Sequence, residues 1–123
     1  MQGSHVVLIV EDQFLLQLAA IELVESAGFI GIGASNADDA IKILQARQDI
    51  RIVITDVEMP GTMDGVKLAH FIRERWPPVH LIIVSGMALK NESQIPYGTK
   101  FFSKPYHDET LVAELQRLMQ ITA

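Results

Sequence analysis

The sequence contains no cysteine. That excludes disulfides, thiolate metal centres and thiol nucleophiles together, and it suits a cytoplasmic setting. Long apolar runs are missing too. The longest unbroken one is Val6 to Val10, against the ~20 residues that a bilayer-spanning helix needs. Nothing at the N-terminus reads as a signal peptide, because acidic residues follow that short run at once. Basic charge is scarce: 10 Lys and Arg face 15 Asp and Glu, for a formal net charge of −5, and no Lys/Arg cluster breaks the acidic average. Polyanions repel such a chain, so neither nucleic acid nor a membrane is an expected partner. Internal repeats, low-complexity stretches and internal linkers are absent as well.

What is present is an ordinary globular balance, 49% apolar and 20% charged over 123 residues. That is enough for one hydrophobic core and too little for two. Residues 1–4 read as a tag or a disordered start, and residues 5–123 as a single domain. Short apolar runs at 5–10, 29–34, 52–55, 79–84 and 99–102 predict strands, and Val and Ile dominate the first, third and fourth. Little polar alternation interrupts those three, which is the signature of strands buried on both faces of a parallel sheet.

Helical spacing fills the intervals. Leu15, Leu18, Ala19, Leu23 and Ala27 repeat at three and four residues ahead of Gly28. Asn36 caps a second helix whose first turn holds Asp38 and Asp39 and whose stripe is Ala37, Ala40, Ile41 and Leu44. A third helix runs from about Asp64 to Trp76 and is stopped by Pro77 and Pro78. The last begins near Tyr106 and buries Leu111, Leu115 and Leu118. Between Met87 and Gln94 only a shortened fourth helix fits before Pro96 and Gly98. The pattern is (βα)₅: an α/β, flavodoxin-like, doubly wound sheet of five parallel strands with right-handed crossovers.

Open parallel sheets bind ligands beyond the carboxyl ends of their strands. Strand one ends in Glu11 and Asp12, strand three in Asp56, strand four in Ser85, and strand five runs into Lys104. Taken singly, each has an ordinary explanation as a helix-initiating acid, a loop aspartate, a turn serine or a solvated lysine. Together at successive strand ends, they form a constellation. Clustered carboxylates repel unless a cation joins them. Hard oxygen donors suit Mg²⁺, which takes one or two carboxylates plus phosphate oxygens. Asp56 is then a nucleophile for a phosphoryl group, with Mg²⁺, Lys104 and the Ser85 hydroxyl stabilising charge on the equatorial oxygens. A carboxylate needs no base, and His5, His70, His80 and His107 lack metal-type spacing.

At these residues the chain resembles the receiver domains of two-component response regulators. The motifs are Val10-Glu11-Asp12, Thr55-Asp56-Val57-Glu58-Met59-Pro60, Met63-Asp64-Gly65, Val84-Ser85-Gly86 and Phe102-Ser103-Lys104-Pro105. The resemblance implies that Asp56 is the phosphorylated aspartate. It makes Asp12, Asp56 and the backbone carbonyl of Glu58 direct Mg²⁺ ligands, with Glu11 acting through a bound water. Ser85 takes the switch hydroxyl position, Lys104 the active-site lysine, and the Lys104–Pro105 bond is a cis candidate. A histidine kinase or a histidine phosphotransfer protein is the implied donor, with Phe14, Leu15 and Leu16 offering it apolar surface. The domain is a self-phosphorylating switch that changes its protein partner, not a turnover enzyme.

Four departures from the family pattern stand out. Glu11 replaces the commoner aspartate, Phe101 fills the aromatic switch position without a hydroxyl, the 59–65 loop is one residue longer, and the fourth helix is shortened. The longer loop with Ser-Gly and Lys-Pro-Tyr resembles stand-alone receivers of α-proteobacterial type. Glu58 and Met87 occupy lining positions that tune phosphoryl lifetime in the family, and Glu58 either orients water or repels it. The competing readings are a degenerate receiver that only binds protein, an aspartyl-phosphate phosphatase using Glu58 as second acid, and a flavodoxin-like cofactor binder. The last lacks a phosphate loop after strand one.

Overall fold

The computed structural model describes residues 5–86 and 94–122, with side chains described as far as residue 120. Five strands alternate with helices: β1 (Val6–Val10), α1 (Phe14–Ser26), β2 (Ile30–Ala34), α2 (Ala37–Ala46), β3 (Ile50–Asp56), α3 (Gly65–Arg75), β4 (His80–Ser85), β5 (Lys100–Ser103) and α4 (Asp108–Thr122). All strand pairings are parallel, in the order β2-β1-β3-β4-β5. The expected doubly wound α/β architecture is thus the one observed. The expected shortened helix over residues 87–94 falls, apart from Gln94, outside the described residues.

The sheet divides its side chains by the period of two that a pleated strand imposes. Val6, Leu8 and Val10 of β1, Val53 of β3 and Leu81 and Ile83 of β4 join the buried layer under α2 and α3. Val7 and Ile9, Ile52 and Ile54, and Ile82 and Val84 join the opposite layer, with Val24 of α1 and Leu111 and Leu115 of α4. Both faces of the three central strands are covered, which is why their sequences are apolar without alternation. β3 starts at Ile50 rather than 52. Exposed Arg51 interrupts the apolar run in sequence, yet Ile50 is buried and pairs with Val6 across a register irregularity.

The helices are held in different ways. Asn36 Oδ1 accepts from the Asp39 N–H (2.8 Å) at the start of α2, and Asp64 Oδ1 accepts from the Lys67 N–H (2.9 Å) at the start of α3. Arg73 and Arg75 lie in the last turn of α3, where their charge suits the helix dipole. α1 has no side-chain cap and buries only Val24 fully. Its apolar residues surround the helix, so three- and four-residue spacing does not select one face. Leu15 and Leu18 of the three- and four-residue repeat are 75% and 42% exposed, and Phe14 and Leu16, expected with Leu15 to offer apolar surface, are 71% and 45% exposed.

Candidate functional site

β1 connects to β2 on one side while its other neighbour is β3. The chain therefore reverses its winding at the carboxyl ends of β1 and β3, and such a switch point leaves an uncovered crevice. Ladder bonds continue past the strand ends and fix what sits there. The Glu11 N–H donates to Ala34 O (2.9 Å), the Val57 N–H to Val84 O (3.1 Å) and the Lys104 N–H to Ser85 O (2.8 Å). Continuing the period of two from Ile9 and Ile54 puts Glu11 and Asp56 on the α1/α4 side of the sheet. Ser85, next after Val84, falls on the other parity.

Asp56 is buried, with only 6% of its surface exposed. Lys104 Nζ donates to its Oδ2 at 2.7 Å and lies 3.4 Å from Glu11 Oε1. Asp56 Oδ1 is buried with no hydrogen-bond partner among the described residues. Glu11 is equally buried, and its Oε2 accepts the Gln13 N–H at 3.0 Å. Asp12 is exposed, yet one oxygen each from Glu11, Asp12 and Asp56 lies within 4.8 Å of the others. None of the histidines belongs to this group.

The electrostatics follow from one cation among three acids. Burial pushes the Glu11 carboxyl above its ordinary value. The Gln13 N–H opposes that, Asp56 adds to it, and Lys104 counters only part of it. Burial also works against charge on Lys104, but its hydrogen bond to Asp56 and the nearby charges of Asp56 and Glu11 outweigh this and hold its pKa above the usual lysine range. The lysine is thus a fixed ammonium.

The donor set fits a hard divalent cation: three oxygen ligands, excess negative charge, and a buried carboxylate oxygen with no hydrogen-bond partner among the described residues. Glu11, Asp12 and Asp56 are the residues that would hold one. A cleft of about 450 Å³ adjoins this cluster, lined by Glu11, Asp56 and Lys104 and by apolar Ile9, Leu16, Leu23 and Tyr106.

The remaining expected positions are distributed around this centre. The Ser85 hydroxyl donates to Glu58 Oε2 at 2.8 Å, and the Glu58 residue itself is exposed. Phe101 is half-buried on β5, packed on the layer under α2 and α3. The Lys104–Pro105 peptide is cis. Met87 lies outside the described residues.

Gln17 shapes the site without having stood out in the sequence, and Gly65, part of the Met63-Asp64-Gly65 motif, does so through a close approach that the motif did not show. Gln17 Nε2 donates to both Glu11 O (2.9 Å) and Ala34 O (3.0 Å), tying α1 to the ends of β1 and β2. Its signal was a lone amide inside the apolar stretch from Phe14 to Ile21. Gly65 opens α3 so close to the site that a Cβ there would lie 1.9 Å from the Asp56 carbonyl oxygen. Only glycine lets the helix start at that distance.

Comparison with known proteins agrees with this fold. The curated response regulator receiver protein CpdR of Brucella abortus is 29% identical over 116 residues, covering 92% of this chain and 95% of its own. A response regulator receiver protein from Sinorhizobium medicae superposes with a TM-score of 0.89 at 25% identity, covering 96% of each chain. The response regulator TrrA of Thermotoga maritima, solved in complex with Mg²⁺-BeF, shares the fold at TM-score 0.84 and 21% identity, covering 93% of this chain and 98% of its own. Other curated relatives are longer, the chain spanning 25% of one regulator and 13% of one sensor kinase. The model of the response regulator receiver domain matches residues 7–116, from the second residue of β1 well into α4, and the chain belongs to that family.

Proposed function

We propose that this domain accepts a phosphoryl group on Asp56 from a histidine kinase or a histidine phosphotransfer protein in a Mg²⁺-dependent reaction, and thereby switches a protein partner. The observation that carries the reading is Asp56 itself: a buried carboxylate with Lys104 on one oxygen and no hydrogen-bond partner on the other among the described residues, grouped with two further acids. In the reaction an Asp56 oxygen forms a bond to phosphorus while the phosphorus–nitrogen bond to the donor imidazole breaks. The electron pair leaves with the imidazole, which then takes up a proton. Bound Mg²⁺ would neutralise charge on the phosphoryl oxygens. The chain's own residues do the rest. Lys104, kept protonated, supplies a second positive charge, and the Ser85 hydroxyl supplies a hydrogen bond to an equatorial oxygen once the group is on Asp56.

The donor meets the exposed start of α1. Phe14, Leu15, Leu16 and Leu18 are more exposed than large apolar residues ordinarily are, and they sit directly after the acidic pair. A phosphohistidine on a donor helix laid there reaches Asp56 without a deep pocket. TrrA, which shares this fold, was solved in complex with Mg²⁺-BeF, and that supports the metal assignment. The arrangement favours a switch over a phosphatase, because the Glu58 carboxylate accepts from Ser85 instead of facing Asp56 as a second acid. It is read as a cytoplasmic switch that does not turn over substrate.

Incubation with Mg²⁺ and acetyl phosphate tests this. Intact mass should rise by one phosphoryl group mapping to Asp56, and Asp56→Asn should abolish the gain. No gain in mass, or one unaffected by Asp56→Asn, would remove the reading.

A further inference from the structure

Two donors are expected to meet phosphoryl oxygens on Asp56, and the structure treats them unequally. Lys104 Nζ is already in place on Asp56. The Ser85 hydroxyl is committed elsewhere, donating to Glu58 Oε2 at 2.8 Å. The backbone of Ser85 has little freedom, since the residue ends β4, is 2% exposed and accepts the Lys104 N–H. A hydroxyl carries one proton and serves one acceptor at a time. Glu58 and a phosphoryl oxygen therefore compete for the same O–H.

We propose that Glu58 is a latch on Ser85: its carboxylate holds the switch hydroxyl in the unphosphorylated domain, and phosphorylation must break that bond before Ser85 can engage Asp56. The inference rests on the phospho-acceptor reading of Asp56 and adds a positioning residue to it. The latch is built to release. Glu58 is exposed, so its freed carboxylate regains water at small cost. A phosphoryl dianion on Asp56 also repels the carboxylate while attracting the hydroxyl, so one event drives both halves of the exchange. Phe101 has no hydroxyl, and the freed Glu58 charge gives the phosphorylated surface a polar change that the aromatic position cannot supply.

The test is a double-mutant cycle read by calorimetric titration with beryllofluoride in Mg²⁺. Glu58→Ala should tighten beryllofluoride binding roughly 3- to 10-fold, the worth of one hydrogen bond no longer competed for. Glu58→Gln, which keeps an acceptor oxygen without the charge, should fall between it and the unmodified protein. In a Ser85→Ala background the Glu58→Ala change should shift the affinity less than about twofold, because the contested proton is gone.

Equal tightening in both backgrounds would mean simple charge repulsion and overturn the latch, as would no tightening when Ser85 is present. An unmodified protein that gains phosphoryl mass and binds beryllofluoride while Glu58→Ala changes nothing sinks the latch alone. An unmodified protein that does neither overturns the phospho-acceptor reading and the latch with it.

Discussion

The interior of the sheet and its carboxyl edge are built on opposite terms. Along β1 every residue from Val6 to Val10 is at most 2% exposed and apolar. One residue further on, Glu11 is nearly as buried but carries a carboxylate, and two more acids and a lysine gather beside it. The interior offsets chain entropy by removing hydrocarbon from water, about 25 cal/mol per Å². The edge sets like charges together under partial desolvation, which opposes folding. A domain of this size tolerates such a centre because the interior holds the strand ends in place. The difference separates residues whose substitution should unfold the protein from residues whose substitution should silence it.

The largest effect is expected in the interior. Ile82 lies in β4 with no exposed surface, packed in the layer under α1 and α4. Ile82→Ala should lower unfolding free energy by about 2–5 kcal/mol in denaturant titration. An effect below about 1 kcal/mol would mean the interior is far looser than its packing implies. Gly65→Ala probes the seam between the two regions. The new Cβ meets backbone atoms of Asp56, which cannot swing aside. A loss of about 1–3 kcal/mol is expected, together with weaker Mg²⁺ binding as α3 or the Asp56 backbone shifts.

The same contrast decides what was legible in the sequence. The interior wrote itself clearly: Val-Val-Leu-Ile-Val and Leu-Ile-Ile-Val admit few readings besides doubly buried strands, and both sit where expected. The edge was legible as chemistry, because strand ends in a parallel sheet fall on one side whatever the helix details. The family motifs added roles to those positions. Bonds made across the fold were not visible. Nothing in Glu58 announces that it will accept from Ser85 rather than serve Asp56, and nothing in Gln17 announces two strand carbonyls. The buried face of α1 was not legible for a physical reason: a helix apolar all round carries no moment to say which side the sheet will take.

In the proposed reaction the exposed start of α1 belongs with the edge, and a substitution there should separate recognition from stability. Leu15→Ser should change unfolding free energy by no more than about 0.5 kcal/mol, as expected of a side chain that is 75% exposed. Phosphotransfer from a histidine-containing donor should nevertheless slow about tenfold, an interface loss near 1.4 kcal/mol. Labelling by acetyl phosphate, which needs no docking surface, should keep its rate. Equal slowing with both donors would place the effect at Asp56 rather than at the docking surface.

The smallest expected effect is also the one whose sign carries most information. Glu11 has a raised pKa in the folded protein, so its ionisation opposes folding. Below the ordinary glutamate value of about 4.3 the group is neutral in both states and costs nothing; as pH rises above it, the unfolded chain ionises first and the fold loses stability. Glu11→Gln should therefore match the unmodified protein near pH 3.5 and be the more stable of the two at pH 7, by a small margin because solvent reaches the site. Saturating Mg²⁺ should invert that order at pH 7. The cation stabilises the native state in proportion to the logarithm of its concentration over its dissociation constant, and a neutral amide beside Asp12 and Asp56 weakens its hold. Thermal melts of both proteins at the two pH values, with and without Mg²⁺, give the four comparisons. If the order stays the same in Mg²⁺, Glu11 is not part of the metal site, and its buried charge requires another counterpart.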